Sequence, residues 1–275
     1  MDVTLDTRLA RALDWDGPIL FLTGAGVSAE SGIPTFRGPE GYWTVGSRVY
    51  QPQELATREA FGTMPDEVWR WYLYRRGVCK AAEPNAAHLA VAALARTLGE
   101  RLLLVTQNVD GLHLRAGSPA ARTLQVHGNI HYMRCSGEHD DEVVPIPDGV
   151  PVIERDSPFP EEARALLRCA TCGRAARPHV LWFDEYYDEQ LYRFHTALDA
   201  ARRCALLVTA GTTGATNLPN QMVAAAQRAG ALLIDVNPDA NSFSKVAEAS
   251  GGVWLRGPAS REIPRIVTGI VNGLR

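Results

Sequence analysis

Ile19-Leu20-Phe21-Leu22-Thr23-Gly24-Ala25-Gly26-Val27-Ser28-Ala29-Glu30-Ser31-Gly32-Ile33-Pro34-Thr35-Phe36-Arg37-Gly38 carries most of the information about architecture. Four consecutive apolar residues read as a buried strand, and the glycines directly after it permit a tight turn. Gly24-x-Gly26-x-x-Ala29 meets the dinucleotide-binding pattern, whose backbone N–H groups approach a pyrophosphate at a helix N-terminus. Taken alone, the pattern equally suits an ordinary strand-to-helix turn. A dehydrogenase would extend the helix and reach a second strand with an acidic residue ~20 positions on. Here Gly32 and Pro34 break the helix at once. The chain then continues as a loop with an aromatic, Phe36, and a cation, Arg37. Such a loop suits enclosing a dinucleotide and chemistry on its ribose better than hydride transfer.

Outward from this stretch, short apolar runs recur at 102–106, 205–209, 231–236 and 253–255, with helical patterns at 86–98, 218–229 and 261–274. Buried strands alternating with helices predict an α/β fold, a Rossmann-like doubly wound parallel sheet covered on both faces. Two segments break the alternation. One is aromatic and helical in period, with Trp69, Tyr72 and Arg76 at helical spacing; the other holds three of the five cysteines and an acidic, proline-rich stretch. They are expected to pack together as a smaller inserted domain, helical and zinc-ribbon-like. The division is then 1–40, 84–128 and 178–275 for the sheet domain, and 41–83 with 129–177 for the insert.

The 275 residues carry a net charge of −3, which leaves no electrostatic footprint for nucleic acid. Residues 1–17 mix Asp, Arg and Leu without an apolar signal core, and Leu5, Leu9 and Leu13 mark a short packing helix. No stretch approaches the ~18 apolar residues of a membrane span. An odd cysteine count without a signal points to a reducing, cytoplasmic setting rather than a disulfide framework.

The glycine stretch strongly resembles the first signature of the sirtuin (Sir2) family. Thr106-Gln107-Asn108-Val109-Asp110-Gly111-Leu112-His113 followed by Ala116-Gly117, then His127-Gly128, then Arg177-Pro178-His179-Val180-Leu181-Trp182-Phe183-x-Glu185 resemble the next three, in family order. Gly211-Thr212-Thr213, Asn237-Pro238 and Gly257-Pro258-Ala259 extend the likeness to nearly the whole chain. The resemblance implies an NAD-dependent protein-lysine deacylase. In that reaction the acyl amide oxygen attacks the nicotinamide ribose carbon, nicotinamide leaves, and the acyl group ends on ADP-ribose.

Under the same resemblance His127 is the base that activates a ribose hydroxyl, and histidine suits the role because its ordinary pKa lies near working pH. By residue type alone His88, His113 and His131 compete with it. Asn108 and Asp110 are assigned to catalysis, ordering the nicotinamide ribose and carboxamide beside Gln107; as plain residues they also suit capping of the next helix. Cofactor contacts are expected from Gly24, Ala25, Gly26, Ser28, Ile33, Pro34, Phe36, Arg37, Gln107, Gly211, Thr212, Thr213, Asn237 and Ala259. Asn237 takes the place of the dehydrogenase acid on a ribose.

Cys169-Ala-Thr-Cys172 is half of a zinc site or a redox pair. Only one upstream cysteine, Cys135, is present where sirtuins usually carry a pair, and His139 follows it at an acceptable ligand spacing. A structural Zn²⁺ on Cys135, His139, Cys169 and Cys172 and a module that folds without metal both stand open. Tyr72 and Arg75 match the Tyr-x-x-Arg pair of the desuccinylase and demalonylase branch, a phenol and a guanidinium suited to a carboxylate. Ala56 falls where a small residue leaves room for a longer acyl chain. A packing tyrosine and a surface arginine are the alternative. Asp184 stands where the family has glycine and adds charge near the expected peptide channel. The rival activity on this scaffold is an ADP-ribosyltransferase or NAD glycohydrolase. The expected partners are acylated-lysine proteins or peptides, with no nucleic acid, no membrane and a monomeric state.

Overall fold

A computed structural model of the chain describes residues 3–34, 43–45, 48–137, 142–155 and 157–274. Phe36, Arg37 and His139 lie outside the described residues.

Six parallel strands form the central sheet, in the order Val253–Arg256, Leu232–Asn237, Leu206–Ala210, Ile19–Thr23, Leu102–Thr106 and Thr123–Gln125. Successive side chains of a strand face opposite sides. Ile19 and Phe21 enter one apolar cluster, Leu20 and Leu22 the other, and all four are fully buried. Helices Ala86–Leu98 and Ala259–Gly273 pack against each other under the first face. Phe194–Ala201 and Asn217–Arg228 cover the second. Covering both faces is what made the strands uniformly apolar in sequence. The helix Val3–Leu13 buries Leu9 and Leu13 as the leucine spacing predicts.

Register determines where the chemistry gathers. Thr23 is level with Thr106 on one side and with Ala210 on the other, and Ala210 is level with Val236. Their successors Gly24, Gln107, Gly211 and Asn237 therefore emerge side by side at one carboxyl edge. The chain runs from Ile19–Thr23 first to one flank and later to the other, so this edge is the crevice in which open α/β sheets bind ligands.

Two local expectations change. The α-helix N-terminus expected after the glycines is absent; the chain makes two single 3₁₀ turns, Ala25–Val27 and Ala29–Ser31, ending at Gly32 with φ 83°. The cysteine-bearing segment, weak in periodicity, is in part a three-stranded antiparallel sheet of Val143–Pro145, Gly128–Cys135 and Ala176–Val180. A register shift between Gly128 and Met133 breaks the period-two pattern, which hides the strand in the sequence. The helix Pro65–Ala81 lies against this sheet, where Trp69 Nε1 donates to the Ala176 carbonyl at 2.9 Å. A third apolar cluster joins Leu55, Trp71 and Leu73 to Ile130, Met133, Ile146 and Trp182. Among the described residues, no helix is long and apolar enough to cross a membrane.

Candidate active site

The two glycine loops at the carboxyl edge interlock. Gly26 N–H donates to the Gly211 carbonyl at 2.9 Å, and a Cβ on Gly26 would lie 2.7 Å from Gly211 Cα. The sequence pattern suggested glycine for approach to a pyrophosphate; here its first consequence is the approach of one loop to another. Gln107 bridges them, donating from Nε2 to Thr212 Oγ1 at 2.9 Å. Asn237 Nδ2 donates to the Thr212 carbonyl at 3.2 Å and to both oxygens of Asp235, at 3.0 and 3.1 Å. With its amide nitrogen so engaged, Asn237 offers its carbonyl oxygen as an acceptor. Asp235 is completely buried and its carboxyl is raised by that burial, against hydrogen bonds from Thr209, Asn241 and Asn237. Asp235 is a positioning residue that sequence reasoning missed. An acid two residues before Asn237 in a buried strand was the available signal. Thr213 stands exposed beyond Thr212, and Ala259 opens the helix Ala259–Gly273 nearby, where Gly257 N–H meets the Asn237 carbonyl at 3.2 Å.

Ser28, Asn108 and Asp110 form one buried network. Asn108 Nδ2 donates to the Gly24 carbonyl and to Ser28 Oγ, both at 3.1 Å, and Ser28 Oγ donates to Asp110 Oδ2 at 2.7 Å. Asp110 Oδ1 accepts at 2.8 Å from the N–H of Leu112, the first residue of the helix Leu112–Arg115; the N-cap position itself is Gly111, and Asn108 does not contact this helix end. Burial raises the Asp110 carboxyl, while the Leu112 and Ser28 hydrogen bonds oppose it. Behind them His88 and His113 pack with ring centroids 4.6 Å apart and the rings tilted by 58°. Asn85 N–H donates to His88 Nδ1 at 3.2 Å, and His113 Nε2 lies 3.1 Å from Thr23 Oγ1. Burial lowers His88 to about 4 and His113 well below its ordinary value, so both are neutral supports.

His127 is placed differently. Its Nδ1 lies 3.0 Å from the Gln107 carbonyl, which can only accept, so Nδ1 carries the ring proton and Nε2 keeps the lone pair. Nε2 faces the phenol of Tyr187 at 2.7 Å. Desolvation lowers His127 to about 4, opposed by the Gln107 bond. The next residue must be glycine: Gly128 has φ 83°, and a Cβ there would stand 2.2 Å from the His179 carbonyl.

The fourth motif is anchored by charge. Arg177 pairs with Glu185, stacks 3.4 Å over the Trp182 ring, and Glu185 also accepts from Trp182 N–H at 2.9 Å. Phe183 N–H donates to the Ala56 carbonyl at 2.9 Å, fastening buried Ala56 to the motif. Asp184 accepts from the N–H groups of Arg58 and Glu59 at 2.8 and 3.2 Å. Its charge thus sits at the N-terminus of the helix Arg58–Thr63.

Tyr72 and Arg75 share one helix face, yet their contacts diverge. Tyr72 Oη accepts from Trp182 Nε1 at 3.0 Å, keeping its own proton for donation. Burial raises its phenol, with Arg75 among the charges that oppose the rise. Arg75 stacks 5.4 Å over Trp71 and lines a small pocket with Ile33, Pro34, Tyr74, Val78 and Cys79. Arg75 and the cofactor-assigned Ile33 and Pro34 thus share a wall, while Tyr72 and Ala56 are not part of that lining.

The thiols of Cys135, Cys169 and Cys172 all lie within 4.8 Å of one another, with Cys135 and Cys172 at 3.5 Å. Thiolates at 2.3 Å from a tetrahedral zinc would be about 3.8 Å apart, so this trio fits one face of such a site. Among the described residues no fourth His, Cys, Asp or Glu completes the group.

Residues 24–217 match the model of the Sir2 family. The chain is 36% identical over 253 residues to an NAD-dependent protein deacylase of Leptospira interrogans, covering 91% of this chain and 92% of that one. It is 42% identical over 226 residues to one of Aeropyrum pernix, covering 82% of this chain and 83% of that one. Its fold superposes on a Sir2 homolog–NAD complex with a TM-score of 0.79 at 32% identity, over 100% of this chain and 96% of that one. The parallel sheet, the loops at its carboxyl edge and the matched segment define one class, and the chain belongs to the Sir2 family.

Proposed function

We propose that the chain is an NAD-dependent protein-lysine deacylase. The observation that carries the reading is His127, a neutral imidazole with its proton directed to Gln107 and the lone pair of Nε2 on the opposite side of the ring, toward Tyr187. That is the state a general base requires before it acts. The complex of the Sir2 homolog with NAD and the deacylase relatives support the same reading. The interlocked loops of Gly24–Gly26 and Gly211–Thr212, with Gln107, Asn108 and Asn237, would hold the dinucleotide. NAD supplies a ribose carbon that loses nicotinamide and receives the acyl oxygen. Asp110 and Ser28 fix the amide of Asn108, His127 takes the proton of a ribose hydroxyl, and the anchored segment 177–185 borders the acyl-lysine. Ile33 and Pro34 would screen the reacting centre from water.

For the acyl group, the reading is a short dicarboxylic chain, succinyl or malonyl, supported by Arg75 in its pocket and by the spare proton of Tyr72. Zn²⁺ on Cys135, Cys169 and Cys172 would have a purely structural role, linking the end of the strand Gly128–Cys135 to the turn at Cys169. Incubation with NAD and acetyl-, malonyl-, succinyl- and glutaryl-lysine peptides tests both levels. NAD-dependent release of any acyl group supports the deacylase, and a higher kcat/KM on succinyl- or malonyl-lysine supports the acyl assignment. Nicotinamide release that is indifferent to peptide would instead make the enzyme a glycohydrolase.

A further inference from the structure

Tyr187 belongs to none of the motifs that carry the family resemblance, yet it occupies the one free nitrogen of His127. Because Nδ1 donates to the Gln107 carbonyl, the phenol is the donor at Nε2, 2.7 Å away. One lone pair accepts one hydrogen bond. A substrate hydroxyl therefore reaches the base only if the phenol leaves or if the proton passes through it.

Packing favours passage. The half-buried Tyr187 ring stands between His127 and Phe194, with ring centroids 5.8 Å from each. The Thr216 hydroxyl, beside the phenol, gives its one proton to Gln107 Oε1 at 3.1 Å. Gln107 is the same residue whose carbonyl orients His127, so the neighbour of the phenol and the base are held by one residue. Swinging the ring away would break its hydrogen bond to His127 and strip it from Phe194. Burial pushes the Tyr187 phenol up to about 12, so it stays protonated and neutral at working pH.

We propose that Tyr187 is a catalytic proton relay between the ribose hydroxyl and His127. The ribose O–H breaks and its proton moves to Tyr187 Oη while the Oη–H breaks and that proton moves to His127 Nε2. The electron pair stays on the ribose oxygen, the imidazole gains one positive charge, and the phenol ends neutral as it began. A hydroxyl can do this because it donates and accepts at once. The proposal rests on His127 being the base, and the test separates the two.

Wild type, Tyr187→Phe and His127→Ala are compared for turnover on the best acyl-lysine peptide, for NAD affinity by calorimetry, and by nitrogen NMR of the substrate-free imidazole. Tyr187→Phe should lower kcat by roughly 10²–10⁴-fold, the scale of one acid–base contribution, with NAD affinity unchanged. It should also shift the Nε2 resonance of His127 and leave Nδ1 in place. In H₂O–D₂O mixtures the wild-type rate should curve with deuterium content, because two protons move together. An active Tyr187→Phe beside an inactive His127→Ala overturns the relay and leaves the base standing. An active His127→Ala overturns both. Lost turnover with weakened NAD binding and an unmoved Nε2 signal would make Tyr187 a packing residue and overturn the relay too.

Discussion

Ser28→Ala tests whether the buried network behind the candidate site works as its distances indicate. Ser28 is 1% exposed, donates to Asp110 Oδ2 at 2.7 Å and accepts from Asn108 Nδ2 at 3.1 Å. The first is a bond to a charged group, worth about 1.5–3 kcal/mol, and the second is neutral, worth about 1. Alanine leaves the carboxylate and the amide buried with one partner fewer each, so the expected loss is about 2–4 kcal/mol. At roughly 2.1 cal/mol/K of unfolding entropy per residue, that lowers Tm by about 4–7 °C. The pH dependence is the sharper part. Burial already raises the folded-state pKa of Asp110, and losing the Ser28 donor raises it further. A group raised in this way favours folding at low pH, and its contribution is lost as pH rises through the folded value. The deficit of Ser28→Ala should therefore be small in acid, where Asp110 is protonated in both proteins, and should grow toward neutral pH. Urea melts at several pH values measure it. A deficit below ~0.5 kcal/mol at neutral pH, or one independent of pH, would refute the network.

Arg75→Met should reduce kcat/KM on succinyl- or malonyl-lysine by roughly 10–150-fold and leave acetyl-lysine little changed, since only the acidic chains lose a charge-assisted bond. Equal losses on all peptides would assign Arg75 to packing. Metal analysis should find close to stoichiometric zinc, and Cys169→Ser should release it and lower Tm; equally stable metal-free protein would refute the zinc assignment. Gly128→Ala should impair folding or displace His127, because its Cβ meets the His179 carbonyl and φ is positive; soluble, fully active protein would contradict the geometry. Burial lowers His88, His127 and His179 to about 4 each, so the unfolded chain binds more protons than the native one between there and ~6.5. Their share of stability is complete above ~6.5 and lost as pH falls toward 4, which denaturant midpoints at pH 7 and 4.5 should register as a clear drop.

The parallel sheet was legible from one chain because burial on both faces leaves runs such as 19–22 and 102–105 with no polar positions, and such runs survive without any alignment. The motifs of the candidate site were legible for a related reason: strand ends followed by Gly, Asn or Asp are local patterns. His127 could be singled out by the glycine after it, and the structure supplies the cause in the contact of Gly128 with His179, a residue fifty-one positions away. The antiparallel strand at 128–135 was not legible, since its register shift destroys the alternation that marks a half-buried strand. Nor was Tyr187, whose position on the base depends on a hydrogen bond across sixty residues. Asp184 shows the limit of local reading most plainly. In sequence it is a negative charge in an expected peptide channel; in space it caps a helix that begins 126 residues earlier, because its carboxylate meets the N–H groups of Arg58 and Glu59. Sequence alone determined what each segment buries and which residues have the right chemistry. Tertiary structure decided which of those residues share a partner, because hydrogen bonds of about 3 Å between distant segments leave no period in the chain.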